Sequence, residues 1–312
     1  MKICFYNHWH NGDVFAGKGW MQEMQRQMPE YEFIHAQKNS VKTMRDLRGA
    51  HVLTSDIPRD VGDRMRYIHL DDTLYINTWI GAYGNAVIPV GEEHANWPSL
   101  HTMWMHIYDM VEHAIDRKLD RTLDMETYMA RTDWSKFETG FADRFLGSRD
   151  RVVLICNGVV QSTQSNLRTM EDTLSQLSHD YPDISFVCTS KFEDNSWPMK
   201  DNVFFTDDIF AGVQGGDINE IAYLSTRAEV IVGKNSGPFM FTHIHENIMD
   251  TNKAFVSLSH RPSDSYPYNV VGIACRYYHH SSDVASNVNG VIRQAINEQG
   301  RVGTKQMQIV DY

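Results

Sequence analysis

The sequence predicts an α/β protein made of two consecutive domains, each with a parallel sheet. Three observations carry this. Strand-like, loop and helix-like segments alternate through both halves, and parallel strands need helical crossovers between them. The run Arg151–Cys156 (RVVLIC) is almost continuously apolar, as in a strand covered on both faces. The alternation restarts at that run, so the chain divides around Leu146–Asp150, and 312 residues suffice for two domains.

In the first half, Lys2–Tyr6 is short, apolar and β-prone. After Asn11-Gly12-Asp13, the residues Val14, Gly17, Met21, Met24 and Met28 recur at steps of three and four. That spacing is a helix face, and Pro29 stops it. Tyr31–His35, His51–Thr54 and Tyr67–Leu70 read as strands, with Leu74–Asn77 as a further one. Ser99 caps a helix with Leu100, Met103, Ile107, Val111 and Ile115 on one side. Asp133 opens another, with Trp134, Phe137, Phe141 and Phe145 on its face.

In the second half, the loop Asn157–Thr163 leads from RVVLIC to a helix carrying Leu167, Met170, Leu174 and Leu177. Ile184–Thr189 and Val203–Phe205 follow as strands. Asp217-x-x-Glu220 resembles a capping box at the start of a helix with Ile218, Ile221 and Leu224. Ala228–Val232 is a buried strand, followed by Lys234-Asn235-Ser236-Gly237-Pro238 and a helix to about Asn247. Ala254–Leu258 and Val270–Ala274 are the last expected strands. Val284, Val288, Val291 and Ala295 mark a last helix, and no structure is expected from Gly300 onward.

Composition narrows the function classes. With 29 Lys+Arg against 40 Asp+Glu the net charge is −11, and no Lys/Arg run exists. Such a chain has no field to draw it onto nucleic acid or anionic lipid. The 4 cysteines are far apart, three of them within apolar runs, so they read as buried thiols of a reducing compartment. Polar residues from Asn7 onward leave no signal-peptide core, and no stretch reaches the roughly 20 apolar residues of a membrane span. A cytoplasmic protein without an integral membrane segment is expected.

Ligands of such sheets bind beyond the carboxyl ends of the strands, here the loops after Tyr6, Cys156, Thr189 and Val232. Ser236, Gly237 and Pro238 open a helix whose free N–H groups suit a phosphate, although they also make an ordinary cap. Asp13 has two readings as well. It is a first-turn or capping carboxylate, or a general base that takes a proton from an attacking hydroxyl. His8-Trp9-His10 lacks a third metal ligand, and His243 and His245 point apart on a helix. These and His279-His280, near an expected loop, read as hydrogen-bonding histidines, and no metal site is expected. Asp71-Asp72 and Asp207-Asp208 read as turn and cap residues. Trp104 reads as core, whereas Trp79 and Trp97 flank Gly81–Gly84 and could line an acceptor site.

The segment Asp217–Pro238 runs from a capped helix through a strand ending in Val-Gly to Asn-Ser-Gly-Pro. With Gly12-Asp13 after the first strand, it resembles the heptosyltransferase-like glycosyltransferases of family 9. The resemblance implies a GT-B fold, two Rossmann-like domains facing across a cleft. Residues 1–147 would form the acceptor-side domain and 148–280 the nucleotide-sugar domain, with 281–312 a helix and tail packing back on the N-terminal domain. It implies a metal-independent, inverting transfer of a sugar from a nucleotide-diphosphate donor to an acceptor hydroxyl. The nucleotide-sugar is then a substrate, and no cofactor is needed. Asp13 would be the base. Lys234, Asn235, Ser236, Gly237 and Pro238, with Gly158 and Arg168, would hold the diphosphate. His8, His10, Asn11 and Gly12 would lie on the acceptor side. The chain departs from the family in three places. Asn235 replaces an Asp, Met240 stands where the family has a His, and the loop after RVVLIC lacks the family's Lys, leaving Arg168 as the nearest cation. A nucleotide-sugar epimerase of the same fold, or a nucleotide- or glycan-binding protein without catalysis, are the alternative readings.

Overall fold

A computed structural model of the chain describes residues 1–9, 11–84, 96–121, 125–158, 170–192, 200–213, 218–234, 237–262, 265, 272–299 and 307–310. They divide into two compact units, Met1–Lys136 and Phe137–Tyr312.

The first unit runs β1 (Lys2–Asn7), α1 (Asn11–Ala16), α2 (Lys18–Gln27), β2 (Glu32–Gln37), β3 (Ala50–Leu53), β4 (Tyr67–Leu70), β5 (Thr73–Asn77), α3 (Asn96–Ile115) and α4 (Met125–Tyr128). Its sheet has the order β3-β2-β1-β5-β4, with only β4 antiparallel. Asp71, at φ 52, makes the tight β4–β5 turn, and Asp72 pairs with Lys2 at 3.2 Å. These two carboxylates are turn residues, as their adjacency predicts. The expected single helix after β1 is divided at Gly17, and glycine is needed there because a Cβ would lie 2.4 Å from the Trp104 ring. Trp104 in turn stacks on Trp20 at 5.7 Å and tilts against Phe5 at 5.9 Å, joining α2, α3 and β1 in one core. Lys18 and Asp46 form a buried ion pair at 2.6 Å, with Thr132 Oγ1 accepting a second hydrogen bond from Lys18 at 3.0 Å.

The second unit runs α5 (Gly140–Leu146), β6 (Val152–Cys156), α6 (Met170–Asp180), β7 (Ser185–Cys188), β8 (Val203–Phe205), α7 (Thr206–Ile209), α8 (Ile218–Ser225), β9 (Val230–Lys234), α9 (Gly237–Phe241), α10 (His245–Ile248), β10 (Ala254–Leu258), β11 (Arg276–His280), α11 (Ala285–Asn297) and β12 (Met307–Ile309). Its seven strands are all parallel, in the order β12-β11-β10-β9-β6-β7-β8.

Several expectations are set against the structure. The two units divide at Lys136–Phe137, and α5 packs on α7 and α8 within the second unit, where Tyr223 donates to Asp143 at 2.7 Å. Of the strand expected at Val270–Ala274, Val270 and Val271 lie outside the described residues and Gly272–Ala274 form no strand; a strand instead spans Arg276–His280, whose buried Arg and two His run against a hydropathy reading. His279 and His280 are therefore strand residues rather than loop residues. The last helix was expected against the N-terminal domain. Its apolar face, Val288, Val291, Ile292, Ala295 and Ile296, instead packs on α6 and the β9–β11 surface of its own unit. Beyond Gly300, where no structure was expected, Met307–Ile309 add a strand to β11. The helix predicted to run from Pro238 to Asn247 is interrupted between α9 and α10.

Candidate functional site

The second unit's sheet reverses its strand order between β6 and β9. Crossovers from the two strands leave in opposite directions, so their loops part and leave a crevice at the carboxyl edge. Cys156, the last residue of β6, is in register with Gly233 of β9. Asn157 follows, and its side chain grips the loop after β7. Its Nδ2 donates to Ser190 O at 2.8 Å, and its Oδ1 accepts from Ser190 N–H at 2.9 Å. Gly158 comes next, where a Cβ would come within 3.3 Å of Ser190 Oγ.

Across the switch point, Lys234 ends β9. Its ammonium is half-buried, and burial lowers its pKa below the ordinary lysine value. Among the described residues it has no hydrogen-bond or ion-pair partner. A partly desolvated cation in that situation is stabilised by an incoming anion. α9 then starts at Gly237-Pro238 and is only five residues long, so its contribution is free N–H groups more than a long dipole. The two glycines of this turn differ. A Cβ on Gly233 would lie 2.2 Å from the Phe239 ring, so that glycine lets β9 and α9 pack together. A Cβ on Gly237 would meet only Ile218 Cδ1, at 3.7 Å, so its side is open.

His243 holds the far end of α9. Its Nδ1 donates to Phe239 O at 2.8 Å, which leaves Nε2 to accept from the Tyr277 hydroxyl at 2.9 Å. Burial pushes its pKa down to about 4, so the ring is neutral. This is a structural histidine, in line with the hydrogen-bonding role its sequence context predicts.

The first unit presents the end of β1. α1 begins at Asn11, so Gly12 and Asp13 lie within its first turn rather than in a loop before it. Asp13 is half-buried, and its backbone oxygen accepts from Gly17 N–H at 3.2 Å. Two asparagines shape this edge. Asn7 Oδ1 accepts from Trp9 N–H at 2.8 Å, and Asn77 Oδ1, at the end of β5, accepts from Trp79 N–H at 2.9 Å. Each closes an Asx turn, and the turns bring Trp9 and Trp79 to 5.0 Å. His8 sits edge-on to Tyr6 at 5.4 Å, with its Nε2 buried and unpartnered.

Gly158, Lys234, Gly237 and Pro238 thus share one carboxyl edge, and His8, Asn11, Gly12 and Asp13 share the other. His10, Arg168, Asn235 and Ser236 lie outside the described residues, as do Asp217 of the capping-box motif and the side chain of Trp97. The sequence reading passed over Asn157 and Asn77, whose roles are pairwise ties between loops. The pattern of a polar amide ending an apolar strand was the available signal for both.

Among the described residues, no group of three or more His, Cys, Asp or Glu is placed to hold a metal ion. Asp208, from the second acidic pair, is taken by Lys191 at 2.6 Å. All four cysteines are buried, and burial pushes the Cys4 thiol up to about 12. No described helix is long and apolar enough to cross a membrane.

The fold is similar to that of solved sugar transferases. E. coli heptosyltransferase WaaC with ADP superimposes with a TM-score of 0.53 at 10% identity, covering 96% of this chain and 97% of that one. WaaC with ADP-2-deoxy-2-fluoro heptose gives 0.51 at 11%, covering 96% and 99%. The E. coli ADP-heptose LPS heptosyltransferase II gives 0.58 at 12%, again covering 96% and 99%. No protein-family model matches the chain, and no curated protein does. At these identities the likeness establishes the fold alone, an α/β architecture with parallel sheets shared with these sugar transferases.

Proposed function

We propose that this chain is a glycosyltransferase that moves a sugar from a nucleoside-diphosphate donor to an acceptor hydroxyl, with inversion and without a metal ion. The observation that carries the reading is Lys234, a half-buried ammonium with no counter-ion among the described residues, beside the Gly237-Pro238 start of α9. It stands at the switch point of a parallel sheet, where ligands of such sheets bind. An oriented cation and free N–H groups there stabilise the negative charge that grows on a leaving diphosphate. Gly158, Asn235, Ser236 and Arg168 complete the diphosphate site in this reading. The fold relatives solved with ADP or ADP-2-deoxy-2-fluoro heptose support a donor of that chemical class.

In the reaction, the acceptor oxygen attacks the anomeric carbon from the face opposite the diphosphate. The bond from that carbon to the diphosphate oxygen breaks, and its electron pair leaves with the diphosphate. The hydroxyl proton passes to the Asp13 carboxylate. Asp13 stands in the first turn of α1, after the end of β1, in place for that role. His8, His10, Asn11 and Gly12 would contact the acceptor. The four unpaired, buried thiols suit the cytoplasm, where nucleotide sugars are at hand.

Incubation of the purified chain with nucleotide-sugars tests the reading. Release of nucleoside diphosphate that rises when a hydroxyl acceptor is added supports it. Interconversion of the sugar without release would make the protein an epimerase, and neither reaction would leave a binding protein.

A further inference from the structure

Gln37, the last residue of β2, is 2% exposed, and among the described residues neither its Nε2 nor its Oε1 has a hydrogen-bond partner. Register and alternation fix where it points. It lies opposite Asn7 of β1, on the face where Phe5 meets His35 at 6.1 Å two residues earlier. The polar side chain below it on that face is satisfied. His35 Nε2 lies 2.9 Å from Gln25 Nε2 of α2 and 3.2 Å from Arg48 O. Gln37 is the next residue outward on the same face, at the carboxyl edge, and α1 with Gly12 and Asp13 feeds directly into the α2 that covers this face.

A buried amide with no partner costs about 1–3 kcal/mol, and a leucine or methionine of similar volume would avoid that cost. The fold itself makes no use of the amide, and an orphaned polar group at a ligand-binding sheet edge points to a ligand. We propose that Gln37 is a specificity-determining residue for the acceptor, an inference that rests on the transferase reading above. Its Nε2 donates to one acceptor oxygen while its Oε1 accepts from a neighbouring hydroxyl. A neutral group with one donating and one accepting side matches adjacent hydroxyls, so the acceptor is a glycan rather than a charged peptide or a lipid phosphate.

The test uses the full chain with Gln37→Leu, and Gln37→Met as the second variant. The probe is a printed array of mono- and oligosaccharides, with binding of nucleoside diphosphates measured separately. The expected result has three parts. The unliganded midpoint rises by roughly 2–4 °C as the orphaned amide is removed. Nucleotide binding is unchanged. The glycan signal of the unaltered chain falls at least about tenfold, a loss of 1.4 kcal/mol. A blank array with the unaltered chain, equal glycan binding by both variants, or a lowered midpoint in both variants would each overturn the proposal. Failure of the unaltered chain to bind any nucleotide while glycan binding still depends on Gln37 would sink the transferase reading alone.

Discussion

Asn157 holds Ser190 by two hydrogen bonds from one carboxamide, one donated to the Ser190 carbonyl and one accepted from its N–H. This clasp joins the loops that follow β6 and β7 and fixes where Gly158 enters the crevice at the switch point. Asn157→Leu keeps the volume and removes both bonds, leaving a backbone N–H and C=O unpaired. The unfolding free energy should fall by roughly 2 kcal/mol. Nucleotide affinity should fall as well, because the loop after β6 is no longer held. Denaturant unfolding and calorimetric titration check the two effects, and unchanged affinity would detach Asn157 from the site.

The two glycines flanking Lys234 should separate packing from binding. Gly233→Ala drives a Cβ into the Phe239 ring, so the variant should lose several kcal/mol of stability or fail to fold. Gly237→Val meets, among the described residues, only Ile218 Cδ1 at an ordinary contact distance of 3.7 Å and should fold normally, yet it should block a diphosphate approaching the backbone. A folded Gly237→Val protein with full nucleotide affinity would contradict the diphosphate assignment.

Glu112 sets part of the acid limb of stability. Burial alone would push its carboxyl up, but hydrogen bonds from Lys118, Arg121 and Leu119 N–H overcome that and hold it at about 2. A folded-state pKa below the unfolded value means stability that is present above about pH 4.5 and lost as pH falls toward 2. Glu112→Gln should therefore flatten the stability profile across that window. It should also cost about 1–2 kcal/mol at neutral pH, because the charge-assisted hydrogen bonds from Lys118 and Arg121 are weakened while Arg121 keeps Asp109. Thermal midpoints measured from pH 2 to 7 read both.

Much of the fold was legible because apolar runs mark buried parallel strands. VVLIC of β6 and AFVSL of β10 fall where the sequence places them. RYYHH of β11 did not read as a strand, since the burial of Arg276, His279 and His280 is a property of the assembled sheet and not of local pattern. The need for a glycine at position 17 comes from Trp104, far along the chain, and no local signal encodes it. At the site, strand–turn–helix order located Lys234, Gly237 and Asp13. Asn157 and Gln37 stayed hidden, because a polar residue ending a strand looks the same whether it clasps a loop, meets a ligand or faces water.

Asp13→Asn tests the base. The first-turn position tolerates Asn, so fold and donor binding should persist. Turnover should drop by roughly 10²–10⁴-fold, the usual contribution of a positioned base. Transfer at the unaltered rate would leave Asp13 as a helix-start residue, and His8 or His10 would be examined next.

The proposed diphosphate site at Lys234 is tested most directly by calorimetric titration of a nucleoside-diphosphate panel into the unaltered chain and into Lys234→Met. One nucleoside diphosphate should bind the unaltered chain with 1:1 stoichiometry. The variant should bind it roughly tenfold to a hundredfold more weakly, the worth of a charge-assisted hydrogen bond. Affinity in the unaltered chain should also weaken as pH rises through the lowered Lys234 pKa, where the ammonium loses its charge, and that pH dependence should vanish in the variant. A panel with no binder, or a Lys234→Met protein that binds as tightly as the unaltered chain at every pH, would contradict the account.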